Sequence, residues 1–487
     1  MSISSDEVNY LIYRYLQESG FVHSSFTFAY ESLITKSSVL NTDVPPGALI
    51  TFLQKGLQYV GIEEHLNEDG TEIACDEEFS LLSGHVCQQH KSGKKKGSGR
   101  GREDAMDVEA DRDGREGAHA GNGIGQELRD SQIHAEEVCV LTNHSSEVFM
   151  CAWNPKYDLL ASGSGDSTAR IWDIPPDVKG IKAAAIASEK SIVLKHSQEV
   201  GDKNKDVTTL EWNREGQLLA TGSYDGVARI WTREGKLQHT LEAHEGPIFS
   251  LKWNAKGNYL LSGSSDKSAI VWDVAAGKVQ QRFEYHEAPT LDVDWKDNTT
   301  FATCSTDKHI NILTVGEKYP RQTFTGHVDE VNAIKWDPSG RLLASCSDDY
   351  TAKIWQPDTS KCIHNLQEHK KEIYTIKWSP NPEEKLLLAS ASFDATVKLW
   401  DVDVGQVVAT LSRHEDPVYS VAFSPNGDYL ASGSFAGHLY IWSVKDGTLV
   451  KSYQGDGDIF EVAWNHRADR IAACFSTSAV AIIDFRM

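Results

Sequence analysis

The chain has 487 residues, of which 40% are hydrophobic and 24% are charged, the composition of an ordinary globular protein. Its formal net charge of −22 argues against broad binding to nucleic acid, since contact with a phosphate backbone needs a basic face. No apolar run is long enough to span a membrane, and the N-terminus lacks the basic start and apolar stretch of a signal peptide. We therefore expect no membrane partner and no sequence-specific binding of nucleic acid.

The acidity suits a cationic partner through long-range attraction; the alternative is that it only keeps the chain in solution. The eight cysteines are scattered along the chain and contain no CxxC pair. Most of those from Cys139 onward lie in apolar, strand-like runs. They are therefore interpreted as reduced, buried thiols of a cytosolic or nuclear protein.

The first zone, residues 1–36, is predicted to be a helical pair. Ser4 and Glu7 have the spacing of a capping box, and a second helix is expected to open near Ser24. Two helices of about 30 residues together are too small to bury their own apolar faces, so we expect a homo-oligomer, dimer or tetramer. The alternative is packing against the rest of the chain. The oligomerisation face is predicted to comprise Val8, Leu11, Ile12, Tyr15 and Leu16.

Two further zones precede the repeats. In residues 37–87, Pro45–Pro46 can open a helix whose apolar side chains fall on one face. Residues 88–136 carry KSGKKKGSGRGR and then EDAMDVEADRDGREG, with few residues that build a core, and are predicted to be a disordered charged linker. Its basic half is a candidate nuclear localisation signal; the alternative is a solvated spacer.

Residues 137–487 contain an internal repeat. The separations between equivalent positions are mostly 41 or 42 residues, with 59 and 45 where insertions, expected to be loops, occur. This period, with an S-x-D…IWD signature, is typical of a four-stranded propeller blade. Eight units predict an all-β, eight-bladed propeller after the small all-α region and the linker. The equivalent positions are Trp172, Trp231, Trp272, Leu313, Trp355, Trp400, Trp442 and Ile483.

The ends of the repeat region predict how the ring closes. The eighth blade ends with AVAIIDFRM and is one strand short. The segment Glu137–Thr142 is a predicted outer strand with no blade of its own before it. If it completes the eighth blade, no long sheet edge remains exposed.

Four of the units carry the same set of His, Ser, Asp and Trp. A catalytic site needs one such set facing a pocket, whereas a set repeated once per blade has no catalytic logic. The sets are therefore interpreted as structural hydrogen-bond networks, and we predict no enzymatic activity, no cofactor and no metal site. The four sets are His144, Ser162, Asp166 and Trp172; His244, Ser262, Asp266 and Trp272; His327, Ser345, Asp349 and Trp355; and His369, Ser390, Asp394 and Trp400.

Three units depart from this set. The fourth keeps His286, Thr303 and Asp307 but has Leu313 in place of Trp. The seventh has Ala436 where Asp is expected, and the eighth has neither the His nor the Asp. These blades are expected to depend more on apolar packing.

A set of aromatic residues is predicted to rim one mouth of the central channel. Large aromatic side chains at such loop-rich positions are typical binding anchors; the alternative is that they cover the blade tops without any partner. Acidic residues beside them would attract a Lys/Arg-rich tail. The predicted partner-binding rim comprises Phe149, Tyr224, Phe249, Tyr374, Phe393, Tyr419 and Phe435, and the acidic residues are Glu147, Asp329, Glu330, Asp348, Glu372 and Asp416.

The runs LIYRYLQESGF, VPPGALITFLQKGLQYV, TFTGHVDEVNAIKWDP and ASASFDATVKLWD resemble the transducin beta-like family of nuclear co-repressor subunits. The resemblance implies a LisH motif in 1–36, an F-box-like segment in 37–87 and a WD-repeat propeller in 137–487. It also implies nuclear localisation, binding of NCoR/SMRT-type co-repressors within a histone deacetylase complex, histone-tail binding by the propeller, and a link to ubiquitin–proteasome exchange. The linker and Ala436 depart from the family's pattern.

Two other functions are alternatives to that of a co-repressor subunit. A ubiquitin-ligase substrate receptor would use the segment after Pro45 as its adaptor and would associate with ubiquitin-ligase components. A hydrolytic propeller enzyme is disfavoured by the repetition of the His, Ser, Asp and Trp sets.

Overall fold

The computed structural model describes residues 5–18, 44–45, 48–64, 132–134, 137–196, 205–359, 361–380 and 385–486. The chain divides into two compact units, residues 1–115 and 116–487. The helix predicted from Ser24 lies outside the described residues, as does the predicted linker apart from residues 132–134.

The described residues of the first unit form two helices that contact each other, α1 (Ser5–Glu18) and α2 (Ala48–Glu64). Tyr10 of α1 and Ala48 of α2 are buried. The predicted oligomerisation face is only partly covered: Val8 is 41% exposed. The other four residues of that face, Leu11, Ile12, Tyr15 and Leu16, are half-buried. No helix in the described part of the chain combines the length and apolar character needed to cross a membrane.

The second unit is an eight-bladed propeller, as predicted. Every blade is a four-stranded antiparallel sheet. The first strand, β1 (Cys139–Leu141), belongs to the last blade. Blades one to four contain β2 (Val148–Trp153), β3 (Leu159–Ser164), β4 (Thr168–Asp173) and β5 (Ile192–Lys195); β6 (Val207–Trp212), β7 (Leu218–Ser223), β8 (Val227–Thr232) and β9 (Leu237–Glu242); β10 (Ile248–Trp253), β11 (Tyr259–Ser264), β12 (Ala269–Asp273) and β13 (Lys278–Phe283); and β14 (Thr290–Trp295), β15 (Thr300–Ser305), β16 (Ile310–Thr314) and β17 (Gln322–Phe324).

Blades five to eight repeat the arrangement, and each sequence unit contributes its outer strand to the preceding blade. They contain β18 (Val331–Trp336), β19 (Leu343–Ser347), β20 (Ala352–Gln356) and β21 (Lys361–Leu366); β22 (Ile373–Trp378), β23 (Leu387–Ser392), β24 (Val397–Asp401) and β25 (Gln406–Leu411); β26 (Val418–Phe423), β27 (Tyr429–Ser434), β28 (His438–Ser443) and β29 (Leu449–Gln454); and β30 (Ile459–Trp464), β31 (Arg470–Phe475) and β32 (Val480–Asp484).

The ring closes as the sequence predicts. Strand β1 pairs antiparallel with β32, with Cys139 opposite Ile482 and Leu141 opposite Val480, so the first strand of the propeller completes the eighth blade. The inner strand β30 of blade eight contacts β2 of blade one. The eighth blade thereby has four strands, and the edge of β32, which could otherwise pair with another chain, is covered.

Tryptophans at the ends of inner strands link neighbouring blades. The Trp212 indole N–H donates to the carbonyl of Ala152 in the preceding blade at 3.2 Å. The same bond crosses the closure, where Trp153 donates to Ala463 at 3.1 Å. Side chains of Val, Ile, Leu and Ala from the second and third strands fill the space between blades. Indole-to-carbonyl hydrogen bonds and apolar packing therefore hold neighbouring inner strands together around the channel.

The insertion between β4 and β5 differs from the prediction of a loop. It contains the helix α3 (Gly180–Glu189), whose Ala183 and Ala187 are buried in a cluster with Ile174 and Trp172. The run GIKAAAIASE has high helix propensity because alanine loses no side-chain freedom in a helix. Its small apolar face packs against blade one and the strand β1.

Candidate functional site

The structure brings together the four residues of each predicted His, Ser, Asp and Trp set. In blade one the Trp172 indole donates to Ser162 Oγ at 2.8 Å, and Ser162 Oγ lies 2.8 Å from His144 Nε2. His144 Nδ1 lies 2.9 Å from Asp166 Oδ2. If the serine hydroxyl donates to Nε2, the proton on Nδ1 is directed at the carboxylate. The sets of His244, His327 and His369 have the same connections, with all distances between 2.7 and 2.9 Å.

The carboxylate oxygens of the aspartate in each set already accept several hydrogen bonds. Burial raises the pKa of Asp166, but bonds from His144, from Thr168 and from the Ser145 amide outweigh it and hold the pKa well below its usual range. The carboxylate is therefore ionised and accepts from both the incoming loop and its own turn. Such a carboxylate fixes loop geometry and is a poor proton acceptor for chemistry.

Blade two holds a partial network that the sequence patterns missed. In blade two, His196 Nε2 lies 2.7 Å from Thr221 Oγ1, while Asp225 pairs with Arg229 instead of the histidine. Burial, followed by the charge of Arg229, lowers the pKa of His196 to about 3. The signal was present in the sequence, but threonine replaces serine and the long insertion shifts the histidine.

Replacing Asp266 by alanine should destabilise the propeller by about 1–3 kcal/mol, because the buried donors of His244, Ser268 and the Glu245 amide lose their acceptor. Urea unfolding measures the loss. The matched control is Asp403→Ala, which removes an exposed carboxylate from a turn. An Asp266→Ala variant as stable as Asp403→Ala would show that the network does not stabilise the ring. Loss of a hydrolytic activity at unchanged stability would contradict the structural role.

Aromatic rings form a connected surface at one mouth of the channel. The ring centroids of Tyr374 and Tyr419 lie 3.8 Å apart, and those of Tyr419 and Phe435 lie 5.6 Å apart. Phe393 contacts Tyr374 at 6.1 Å, and Phe460 contacts Tyr419 at 6.2 Å. We call this surface the aromatic rim; it comprises Phe149, Tyr374, Phe393, Tyr419, Phe435 and Phe460.

The aromatic rim includes five of the seven predicted residues and one that was missed. Phe149 joins it through Phe460, whose ring lies 5.8 Å away. Phe460 was missed because the eighth unit has no histidine from which to count. The equivalent predicted residues of blades two and three, Tyr224 and Phe249, are half-buried at the same mouth.

Carboxylates accompany these rings at the ends of the strands: Asp348 acts electrostatically on Tyr374, and Glu147, two residues before Phe149, acts on Asp206. Burial raises the pKa of Asp206 to about 7, with the charges of Glu147 and Asp166 adding to the effect. Burial also raises the pKa of Asp348, and Glu372 and Asp329 reinforce it. A raised pKa means that the charged form is poorly stabilised by the protein alone. A cation bound nearby would favour ionisation of these groups.

A second charged feature lies deeper in the channel and was not predicted. On each inner strand, the residue before the final Trp or Phe lines the channel at the same height. In blades two to six this residue is charged. Lys252 Nζ lies 2.9 Å from Glu211, and Lys335 Nζ lies 2.6 Å from Asp292. Asp294 accepts from the Trp336 amide at 2.7 Å. Within the described ranges, no group of His, Cys, Asp and Glu is arranged to hold a metal ion.

The sequence matches two known family models and known proteins over its full length. The model of the WD domain, G-beta repeat matches residues 135–173, 195–232, 235–273, 318–356, 360–401 and 405–443, and the LisH model matches residues 6–32. The F-box-like/WD repeat-containing protein TBL1X of Mus musculus is 50% identical across the full length of both chains. The chain belongs to the transducin beta-like family. A plant relative, the WD40 repeat-containing protein HOS15 of Arabidopsis thaliana, is 43% identical, again over both full lengths.

Solved structures agree on the fold of this transducin beta-like chain. The C-terminal WD40 domain of Sif2 gives a TM-score of 0.62 at 24% identity, covering 71% of this chain and 98% of that chain. Each matched WD range ends one residue after the tryptophan of the third strand of a blade. The two other units end in Leu313 and Ile483, yet both build complete blades, since apolar packing replaces the indole bond there.

Proposed function

We propose that the protein is a non-enzymatic scaffold subunit of a nuclear histone deacetylase co-repressor complex. Its N-terminal region binds NCoR/SMRT-type co-repressors, and its propeller binds the Lys/Arg-rich tails of histones. Membership of the transducin beta-like family supports the scaffold role. A relative at 24% identity over 55% of the chain, LEUNIG_HOMOLOG of Arabidopsis thaliana, is named a transcriptional corepressor.

The observation that carries the propeller's part is the aromatic rim with carboxylates beside it. The half-buried rings of Tyr374 and Tyr419 pack on each other in one aromatic cluster, which would anchor the aliphatic stem of a lysine or arginine and attract its charge. Asp206 and Asp348 are poorly solvated carboxylates that gain from a bound cation. A basic peptide supplies both kinds of contact, and the net charge of −22 attracts it from a distance.

Titration of a labelled basic histone tail against the full chain tests this function. Tyr374→Ala and Phe393→Ala should each weaken binding by about tenfold, the effect of losing one interface anchor of roughly 1.4 kcal/mol. Binding should also weaken as salt rises, because the carboxylates are screened. The matched control is Tyr157→Ala, which removes an aromatic that is 37% exposed beyond the other end of β2. Equal binding by all variants at low and moderate salt would remove the rim from consideration.

The alternative function is recruitment for ubiquitin–proteasome exchange of transcription co-regulators. The mouse relative is named an F-box-like/WD repeat-containing protein, which favours this alternative. Affinity purification from nuclei with the full chain and with a chain lacking residues 1–90 separates the two functions. Recovery of a deacetylase that depends on residues 1–90 supports the co-repressor scaffold, and recovery of a cullin adaptor supports the alternative.

A further inference from the structure

Blade seven has a surface cavity of about 320 Å³ at the place where blade three holds an ion pair. In blade three, Arg282 of β13 fills this place and its guanidinium donates to the Asp266 carboxylate at 3.2 Å. By strand register, the position of Arg282 is taken in blade seven by Ser452 of β29, whose side chain is too short to fill the space. Ala436 takes the position of the aspartate. Blade seven therefore lacks both the carboxylate and the side chain that covers it.

The cavity is lined by donors instead. Arg413, which follows β25, and His438, which begins β28, both line it, and Tyr440 is buried at its wall with its ring centroid 5.8 Å from that of His438. Within the described part of the chain, neither Arg413 nor His438 forms an ion pair with a carboxylate. The Arg413 side chain hydrogen-bonds with Tyr440, and Glu415 also lies near enough to influence Tyr440. Among the described residues, the Arg413 guanidinium therefore has a hydroxyl partner but no carboxylate in an ion pair, unlike Arg282 in blade three.

The remaining network of blade seven does not need a carboxylate. His414 Nδ1 lies 2.9 Å from Ser434 Oγ, and its Nε2 lies 2.7 Å from Ser432 Oγ, so both ring nitrogens are satisfied by hydroxyls. Burial, then the charge of His438, lowers the pKa of His414 to about 3, and the ring is neutral at pH 7. The fold is complete without an acid at this place. No carboxylate of the described residues pairs with Arg413, so its guanidinium can still donate to a carboxylate from a partner.

The strand beside the cavity already accepts an extended backbone. The Ile133 amide donates to the Ser452 carbonyl at 2.8 Å, and Gln132 forms a parallel bridge with Ser452. Gln132 also lines the cavity, together with Gln454 at the end of β29. Residues 132 and 133 of the chain itself therefore occupy this edge, and a partner would supply only the side chain that enters the cavity.

We propose that this cavity binds the carboxylate of an Asp or Glu side chain from an acidic partner peptide. Arg413 supplies the planar pair of donors that matches a carboxylate, and His438 and Tyr440 supply further donors on the same cavity. This acidic-peptide site is separate from the aromatic rim, prefers the opposite charge and does not rest on the function proposed for the rim.

The test is titration of a short labelled Glu-rich peptide against the full chain, beside the same peptide with Gln at every Glu. The Gln peptide should bind about tenfold more weakly, and Arg413→Gln should weaken binding of the Glu peptide by about as much, since each change removes a charge-assisted pair. Ala436→Asp should have the same effect, because it returns a carboxylate to the blade. Ala436 has a φ of +63°, which Asp tolerates better than most residues, so this variant should fold.

Arg214→Gln is the matched control, since it removes an exposed arginine of blade two and should leave binding unchanged. Unfolding temperatures establish that the variants are folded. Equal binding of the Glu and Gln peptides by the wild-type chain would overturn the proposal. So would wild-type affinity in both Arg413→Gln and Ala436→Asp. Binding of the basic histone tail should be the same in all these variants, so failure at the rim and failure at the cavity are distinguishable.

Discussion

Replacing Lys335 by methionine should destabilise the propeller by about 3 kcal/mol, the usual cost of leaving a buried charge without its partner. Lys335 Nζ lies 2.6 Å from Asp292 Oδ2 inside the channel, where the two side chains are only 18% and 13% exposed. Burial lowers the pKa of Lys335, but the charges of Asp292 and Asp294 outweigh it and raise the pKa above its usual value. The methionine variant keeps the packing volume and removes only the charge. It leaves Asp292 and Asp294 without the cation that acts on them most strongly, while only the weaker influence of Lys252 remains.

Urea unfolding of the full chain measures this effect. Lys335→Met combined with Asp292→Asn should recover part of the loss, because the second change removes one of the uncompensated charges. Lys256→Met is the matched control on an exposed turn of blade three and should change stability by less than about 0.5 kcal/mol. If Lys335→Met is no more destabilising than the control, the channel charges are solvated and contribute nothing to the ring.

The blade architecture was predictable because each blade repeats a short physical pattern. Inner strands mix buried and half-buried residues. The second strand of a blade ends in Ser, the turn after it carries Asp, and the third strand carries Trp near its end. Closure by β1 followed from counting strands at the two ends. The repeat supplied eight independent readings of one pattern, so substitutions such as Leu313 for Trp did not obscure it.

Features that depend on contacts between blades were harder to predict. The charges of Lys252, Lys335 and Glu211 recur at the same strand position, but only the ring geometry shows that this position faces the channel. Phe460 joins the aromatic rim through Tyr419, although its own unit lacks the marker histidine. The helix α3 was hidden in an insertion that the repeat pattern does not describe.

Ala436 shows the same limit at a single position. The sequence indicates that blade seven lacks the usual carboxylate. It does not indicate that His414 turns to Ser434, or that a cavity with Arg413 and His438 opens beside β29. Those consequences arise from side chains on three strands that no single repeat brings together. The departure from the repeat was therefore readable, while its chemistry required the structure.

Changing Leu11 and Leu16 of α1 together to serine should convert the protein from an oligomer to a monomer while leaving the propeller folded. Both side chains are half-buried, and neighbouring Val8 is 41% exposed, so α2 does not fully cover this face of the helix. A second copy of the same face would bury it, and the match of residues 6–32 to the LisH model agrees with this role. Serine removes apolar area worth about 1.5–3 kcal/mol for each leucine that becomes fully buried.

Light scattering of the full chain measures the mass, and far-UV circular dichroism checks that the strands of the propeller remain. Asn9→Ser is the matched control, because it places a serine on the same helix outside the predicted face and should leave the mass unchanged. The propeller's own unfolding temperature should be equal in all three proteins, since Leu11 and Leu16 belong to the other compact unit. A double variant that keeps the wild-type mass would show that another surface holds the copies together.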